Sequence, residues 1–312
     1  MGGILDKKPA STKHRRLRAK LIFNPGAGAT GESPVQLMDV IRTMQAWKLV
    51  PEAYLVEPDS DLPGMVKNAL QDGIRMFVVC GGDGTVDSVA GALVGTGATL
   101  GIIPTGTQNN VALSLDIPTD IPGAIALLRE GQRLKVDIGL VAGGETEQPF
   151  LEICTVGLWS ALYPMADDIQ HGNLRRVGDF LATLLASPPS EIHLRLDGEQ
   201  KIHAECHGVV VTNMPYIGPN FQAGTSASMK DGLLDVLLFA ELSKLDLLGD
   251  AVQVAISSLE DSRILHYQAR KIEINSNPAM PVMVDGVPFR EGPLRIRVRR
   301  HHLAVMAGRL AA

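Results

Sequence analysis

Three times in its first 115 residues the chain runs an apolar strand segment into a glycine-bearing turn and then toward a helical pattern. The stretches are IFN-PGAG-AT from residue 22, VVC-GGDGT-VDSVAGAL from residue 78 and IIP-TGT-QNNVALSL from residue 102. Strands apolar on both faces, alternating with helices, belong in a parallel sheet covered on both sides. The turns at the carboxyl ends of such strands gather on one edge, where open α/β sheets bind ligands. Glycine lets backbone N–H groups approach an anion closely, and a helix start adds the favourable end of its dipole. One glycine turn is by default structural; three in register point to phosphate binding. Neither G-x-G-x-x-G nor G-x-x-x-x-G-K-[ST] is matched, which disfavours a dinucleotide fingerprint or a Walker loop.

The first half reads as strand and helix in strict alternation. AKLIFN, EAYLV, RMFVVC and TLGIIP are expected strands. Ser33-Pro34 has the form of an N-cap with proline at the first helical position, opening a helix with Leu37, Met38, Ile41 and Met44 on one face. Further helices are expected around Met65 to Leu70, ending near Gly73, and over about 85–94, 106–114 and 121–130. After residue 135 the grammar changes. RLKVDIGLVA and PFLEICTVGL read as two strands joined at Gly143-Gly144, and EIHLRLDGEQKIHAEC alternates about Asp197-Gly198 as a hairpin does. LLDVLLF, ARKIEIN, MPVMVDG and LRIRVRR continue the strand pattern, with helices expected near 158–186 and 243–258. The expected fold is an α/β N-terminal domain with a parallel sheet, then a mainly antiparallel β-sandwich. The boundary falls near 138–145. The expected division is a basic tail over 1–17, the α/β domain over 18–140, the β-sandwich domain over 141–296, and a segment over 297–312 that packs back on the first domain.

A net charge of −5 on 312 residues argues against bulk nucleic-acid binding. Seven Lys or Arg residues between Lys7 and Lys20 are the local exception. They read either as a solvated tail or as an electrostatic tether to anionic lipid. No apolar run approaches the ~18 residues of a membrane span, and no secretory signal is evident. Cys80, Cys154 and Cys206 are odd in number and widely spaced, which suits a reducing compartment and gives no metal-ligand spacing. The expected location is cytoplasmic, with peripheral membrane contact left open.

NPGAG, GGDGT, PTGTQNN and DGLLDVLLF, in this order, resemble the diacylglycerol kinase catalytic-domain family, which includes sphingosine kinases and bacterial lipid kinases. The resemblance covers about residues 18–305. NAD kinases share GGDGT and the general fold, but the other motifs fit the lipid kinases better. The resemblance implies ATP and Mg²⁺ in a cleft between two domains, and transfer of the γ-phosphoryl group to a lipid hydroxyl at a membrane surface. A homodimer is compatible with it. By the same resemblance, Asn24 and Gly28 belong to the first nucleotide loop. Gly81, Gly82, Gly84 and Thr85 cradle phosphates, with Asp83 on Mg²⁺ or near the acceptor hydroxyl. Gly106, Thr107 and Asn109 form the second nucleotide loop. Asp137 is a catalytic acid of the charge network in the interdomain cleft, Arg175 and Arg176 reach the phosphates from the second domain, and Asp285 is a further nucleotide-binding residue. Asp231 is the side-chain ligand of a structural metal, with carbonyls of Ser228 and Leu233, and oxygen-only ligation suits Mg²⁺ or Ca²⁺.

Four positions depart from the family pattern. Val287 stands where many relatives carry the Glu of Asp-Gly-Glu, a proposed general base, and Glu291 follows only after Pro288. Asn109-Asn110 replaces a common Asn-Asp. The usual acid of the helix after GGDGT is Ser88, one place from Asp87, and the usual Thr after the second strand is Val56. These changes bear on chemistry more than on folding, because phosphoryl transfer depends mostly on positioning and electrostatics. Two readings follow: Asp83 is the working base, or the protein binds nucleotide or lipid with little turnover.

The other candidates have plainer readings beside the functional ones. Asp83, Asp137 and Asp231 could be turn or strand-end acids. Arg295, Arg297 and Arg299 alternate with Leu294, Ile296 and Val298 and predict a solvent face. Met165, Met214 and Met229 could line a lipid pocket or fill a core. His301-His302 has no evident ligand partner and is given no metal role.

Overall fold

A computed structural model describes residues 15–28, 33–158, 160, 189–216, 228–239 and 264–308. By internal contacts the chain falls into two compact units. The first takes its described residues from Met1–Thr107, Leu115–Leu134 and Ala304–Ala312, and the second from Gln108–Ser114 and Lys135–Leu303. The helices expected near 158–186 and 243–258 lie, but for Leu158 and Ser160, outside the described residues.

The first unit alternates strand and helix. In chain order it has β1 (Leu17–Phe23), α1 (Ser33–Ala46), β2 (Leu49–Leu55), α2 (Leu62–Gln71), β3 (Met76–Gly81), α3 (Asp83–Leu93) and β4 (Thr99–Pro104). The short α4 (Asn110–Ser114) belongs to the second unit, and α5 (Ile121–Glu130) returns to the first. The strands form a parallel sheet in the order β2-β1-β3-β4. β3 and β4 are buried along their whole length, as expected for strands covered on both faces. Ala304 and Val305 pair in parallel with Thr99 and Leu100, so the chain's last strand completes this sheet.

Local chemistry sets the helix starts. Asp61 accepts the Gly64 N–H at 2.9 Å and Asp120 accepts the Gly123 N–H at 2.7 Å. Both belong to an Asp-x-Pro-Gly sequence, in which the carboxylate satisfies an otherwise unpaired amide and proline fits the first turn. In α1 the buried positions are Val40 and Met44, whereas Met38 is 49% exposed. The expected face therefore holds at Met44, with Leu37 and Ile41 half-buried, and is corrected at Met38, whose place Val40 takes. The helix after β4 is also shorter than expected, because Asn109 has φ +55° and cannot continue a helix.

Antiparallel pairing dominates the second unit. It comprises β5 (Gln132–Gly143), which enters it from the first unit at Lys135, then β6 (Thr146–Phe150), β7 (Ile153–Gly157), β8 (Ser190–Leu196), β9 (Gln200–Cys206) and β10 (Gly208–Thr212). It continues through β11 (Leu234–Phe239), β12 (Ile264–Ala269), β13 (Lys271–Asn277), β14 (Val282–Val284), β15 (Val287–Phe289) and β16 (Leu294–Ala307), whose end enters the first unit. One sheet runs β16-β13-β8-β9, with β5 on β16 and β6 on β5; the other runs β12-β11-β10-β7-β14-β15. Residues such as Ile192, Leu194, Ile272 and Ile296 from the first sheet share one core with Val156, Val209, Val236 and Val284 from the second. That shared core makes the unit a β-sandwich.

The expected hairpin about Asp197-Gly198 is present as β8–β9, and the arginines of β16 lie on its exposed face. Two expectations are corrected. PFLEICTVGL is not one strand: it breaks at Leu151-Glu152 into β6 and β7, which lie in different sheets. MPVMVDG does not simply continue as a strand either. Asp285 and Gly286, at φ +44° and +74°, make a two-residue turn that pairs Val284 with Val287. Asp-Gly is the usual sequence for such a turn.

Candidate functional site

In the first unit three loops leave adjacent parallel strands at one edge. Hydrogen bonds continue the ladder past the strand ends: the Asn24 N–H donates to the Cys80 carbonyl at 2.9 Å, and the Thr105 N–H donates to the Gly81 carbonyl at 3.1 Å. Asn24 then ties the loops through its side chain. Its Oδ1 accepts the Gly26 N–H at 3.0 Å, and its Nδ2 donates to Thr85 Oγ1 at 2.9 Å. Two glycines allow the close approach. A Cβ on Gly28 (φ +86°) would stand 2.6 Å from the Thr105 carbonyl oxygen, and one on Gly82 would stand 3.2 Å from the Gly106 Cα. Expected nucleotide residues Asn24, Gly28, Gly81, Gly82, Thr85 and Gly106 thus meet at one junction, and the exposed Thr107 follows.

The start of α3 is shaped differently. Its N-cap Gly82 supplies no side-chain cap, and Asp83 is the acid of the first turn, where the helix dipole favours a negative charge. A Cβ on the exposed Gly84 would meet nothing within 4 Å, so protein packing does not demand glycine there. A ligand approaching the backbone would. This combination of an uncapped helix start, a glycine facing open space and paired glycine loops fits a bound phosphate group.

The remaining expected residues lie in the second unit or outside the described residues. Asp137 is fully buried. Its Oδ2 accepts the Gly232 N–H and its Oδ1 the His301 N–H, both at 2.7 Å. Its own N–H donates to the Met229 carbonyl at 2.7 Å. Asp137 therefore anchors the turn that carries Ser228, Asp231 and Leu233. Within that turn Asp231 Oδ1 accepts the Leu233 N–H at 2.9 Å. Burial raises the Asp231 carboxyl above the ordinary carboxylate range; the Leu233 N–H opposes the shift, and nearby Asp235 and Asp137 add to it. A carboxylate crowded by acids among carbonyl oxygens suits a hard cation, so this donor set fits Mg²⁺ or Ca²⁺. Met214 and Met229 are buried in the unit. Arg175, Arg176 and Met165 lie outside the described residues.

Asp285 holds the break between β6 and β7. Its Oδ2 accepts the Leu151 N–H at 2.7 Å, and its Oδ1 accepts those of Glu152 and Ile153 at 3.1 and 2.8 Å. Burial pushes this carboxyl up to about 6 against the pull of the three N–H donors. Asn213 works from the other side: its Nδ2 donates to the Asp137 and Leu151 carbonyls at 2.9 and 3.0 Å. Thr212 Oγ1 lies 3.1 Å from the Glu152 carbonyl, as donor.

Sequence reasoning missed Glu152 and Asn213, both buried. The signal for Glu152 was an acid inside the apolar run PFLEICTVGL. Asn110 now has a physical reading, since its Nδ2 donates to Glu152 Oε2 at 3.3 Å. The amide supplies a donor where an aspartate would set two carboxylates together. Asn109 lies just before α4, and its carbonyl accepts the Leu113 N–H at 3.0 Å.

Residues 18–141 match the diacylglycerol kinase catalytic domain, and residues 161–307 match the YegS C-terminal NAD kinase beta sandwich-like domain. The chain is 26% identical over 307 residues to a diacylglycerol kinase of Staphylococcus carnosus, covering 93% of this chain and 95% of that one. It is 25% identical over 280 residues to a diacylglycerol kinase of Bacillus subtilis, covering 86% and 89%. Among solved structures, a diacylglycerol kinase from Bacillus anthracis str. Sterne superposes with a TM-score of 0.71 at 21% identity, covering 95% and 99%. An NAD kinase from Archaeoglobus fulgidus in complex with ATP has the same fold at a TM-score of 0.53 and 14% identity, covering 94% of each chain.

Two substitutions test this geometry. Gly28→Ala combines a left-handed backbone with a clash and should lower stability by about 1–3 kcal/mol in a denaturant titration. Asn110→Asp should cost about 1–3 kcal/mol near neutral pH. The crowded carboxyl pair would have a folded pKa above its unfolded value, so the deficit should shrink as pH falls toward ~4.

Proposed function

We propose, for a chain that belongs to the diacylglycerol kinase catalytic-domain family, that it transfers the γ-phosphoryl group of ATP to a lipid hydroxyl. The observation that carries this reading is the loop junction at the carboxyl edge of the parallel sheet, with Gly84 open beside the uncapped start of α3. In this reading the backbone N–H groups of Gly82 and Gly84 take the phosphates, while Thr85, whose own N–H donates to the Gly82 carbonyl at 3.1 Å, fixes the turn. Asn24, Gly28, Gly81 and Gly106 hold the loops at the spacing the nucleotide needs, with Thr107 following them; Asn109, Arg175 and Arg176 are assigned to the nucleotide by the family resemblance alone. The acceptor oxygen forms a bond to the γ-phosphorus as the bond to the β,γ-bridging oxygen breaks, releasing ADP. Asp83 takes the hydroxyl proton. Mg²⁺, when bound, neutralises charge developing on the phosphoryl oxygens.

Asp137 and Asp285 are positioning residues here. Both spend their carboxylate oxygens on backbone amides, one at the Ser228–Leu233 turn and one at the Leu151–Ile153 break. Ser228, Asp231 and Leu233 hold a structural Mg²⁺ or Ca²⁺ in the same reading, and the β-sandwich unit supplies the lipid acceptor's binding surface. No helix among the described residues is long and apolar enough to cross a membrane.

A second reading, nucleotide or lipid binding with little turnover, rests on Val287. It is 55% exposed just after the Asp285-Gly286 turn, where many relatives carry the proposed base. Turnover of labelled ATP with Mg²⁺ and a panel of diacylglycerol, sphingoid bases and phosphatidylglycerol separates the two. Phosphorylated lipid is the expected product; ATP binding without turnover would favour the second reading, and phosphorylation of NAD would favour a soluble-substrate kinase.

Asp83→Asn should lower kcat by about 10²–10⁴-fold while ATP affinity changes only slightly, the loss usual for a general base. Unchanged kcat would remove Asp83 from the mechanism. Val287→Glu should raise turnover if the missing base limits it.

A further inference from the structure

The β8–β9 hairpin carries an outward face that the proposed phosphoryl transfer does not use. Ser190, Ile192, Leu194 and Leu196 point inward, and the three apolar members belong to the sandwich core. Glu191 and His193 therefore share the opposite face with their direct cross-strand partners, Glu205 and His203. The two imidazoles meet edge to face, with ring centroids 4.4 Å apart. Glu191 Oε1 lies 3.5 Å from His193 Nε2. One ligand atom from each of Glu191, His193 and His203 falls within 4.8 Å of the other two.

Of the two pairings the carboxylate pair is the costly one, because like charges directly opposite each other repel. The edge-to-face imidazoles gain modestly from their ring quadrupoles while neutral, the state in which each also offers a lone pair to a cation. One cation favours both pairings, because it neutralises the carboxylates and accepts the imidazole lone pairs. Ligands about 2.0–2.1 Å from a tetrahedral centre lie roughly 3.3 Å apart. The His193–Glu191 separation is already close to that, and the third ligand needs only side-chain rotation. The backbone beneath is held firmly. Asp197 Oδ1, at the hairpin turn, accepts the N–H groups of Arg270 and Lys271 at 3.0 and 2.8 Å.

We propose that Glu191, His193 and His203 bind a divalent transition-metal cation of the Zn²⁺ type on the outward face of the β8–β9 hairpin, with Glu205 or water completing the shell. Imidazole and carboxylate together suit Zn²⁺ and its neighbours rather than Mg²⁺ or Ca²⁺. β9 pairs only with β8 among the described residues, so the cation fastens an edge strand to its neighbour. The site is separate from the residues assigned to phosphoryl transfer, and either inference can fail without the other.

The test uses the full chain, stripped of metal with a chelator and held in millimolar Mg²⁺ to occupy hard-cation sites. Calorimetric titration with Zn²⁺ should give one saturable equivalent at this site, and Zn²⁺ should raise the Tm. The double variant His193→Ala/His203→Ala should bind at least tenfold more weakly and lose the Tm increase, with its circular dichroism unchanged. Should that variant misfold, Glu191→Gln retains both imidazoles and should still weaken Zn²⁺ several-fold. Absence of a saturable equivalent in the parent protein overturns the proposal. Unchanged affinity in a folded variant lacking both histidines overturns it equally.

Discussion

Three adjacent strands running the same way must all end at the same edge, and the rest of the candidate nucleotide site depends on that constraint. β1, β3 and β4 release their loops side by side, and the hydrogen bonds from Asn24 to Cys80 and from Thr105 to Gly81 extend the sheet into those loops. The loops are thus an extension of a buried sheet whose position is set by hydrophobic packing. Glycine is required where one loop's backbone lies against another's, as at Gly28 and Gly82. Gly84 differs in kind, because no protein atom competes for the space beside it.

The sandwich unit solves a different problem with carboxylates. A strand that leaves one sheet for the other exposes amides that no ladder satisfies, and an unpaired buried amide costs about 1–3 kcal/mol. Asp285 accepts three such amides at the β6–β7 break, and Asp137 accepts two at Gly232 and His301. Acids that look catalytic in one dimension therefore hold backbone in three. The turn held by Asp137 carries the oxygen donors Ser228, Asp231 and Leu233, so a buried structural carboxylate positions a candidate cation site without touching it.

Much of this was legible in the sequence because the signals are local. Period-two alternation marked β8, β9 and β16, and the three strand–glycine–helix stretches marked the loop edge. The α1 face was misread at Met38 alone, because Met38 is as apolar as the buried Val40 and only packing distinguishes them. The β6–β7 break was invisible because Leu151 and Ile153 are apolar on either side of it, while the acid that stabilises it lies more than 130 residues away. Glu152 and Asn213 were missed for the same reason: their partners are distant in sequence.

The sequence by itself determined where strands, turns and helix starts fall, since backbone preference, capping and hydrophobic period act within a few residues. It also determined which edge of a parallel sheet would gather the glycine loops. Only the tertiary structure decided what each polar group does with its charge. Hydrogen bonding and desolvation depend on what surrounds a side chain in space, so Asp83 lies part-exposed in the first turn of a helix while Asp137 is sealed against two backbone amides. His193 and His203, ten residues apart along the chain, face each other because a hairpin turn sets their register.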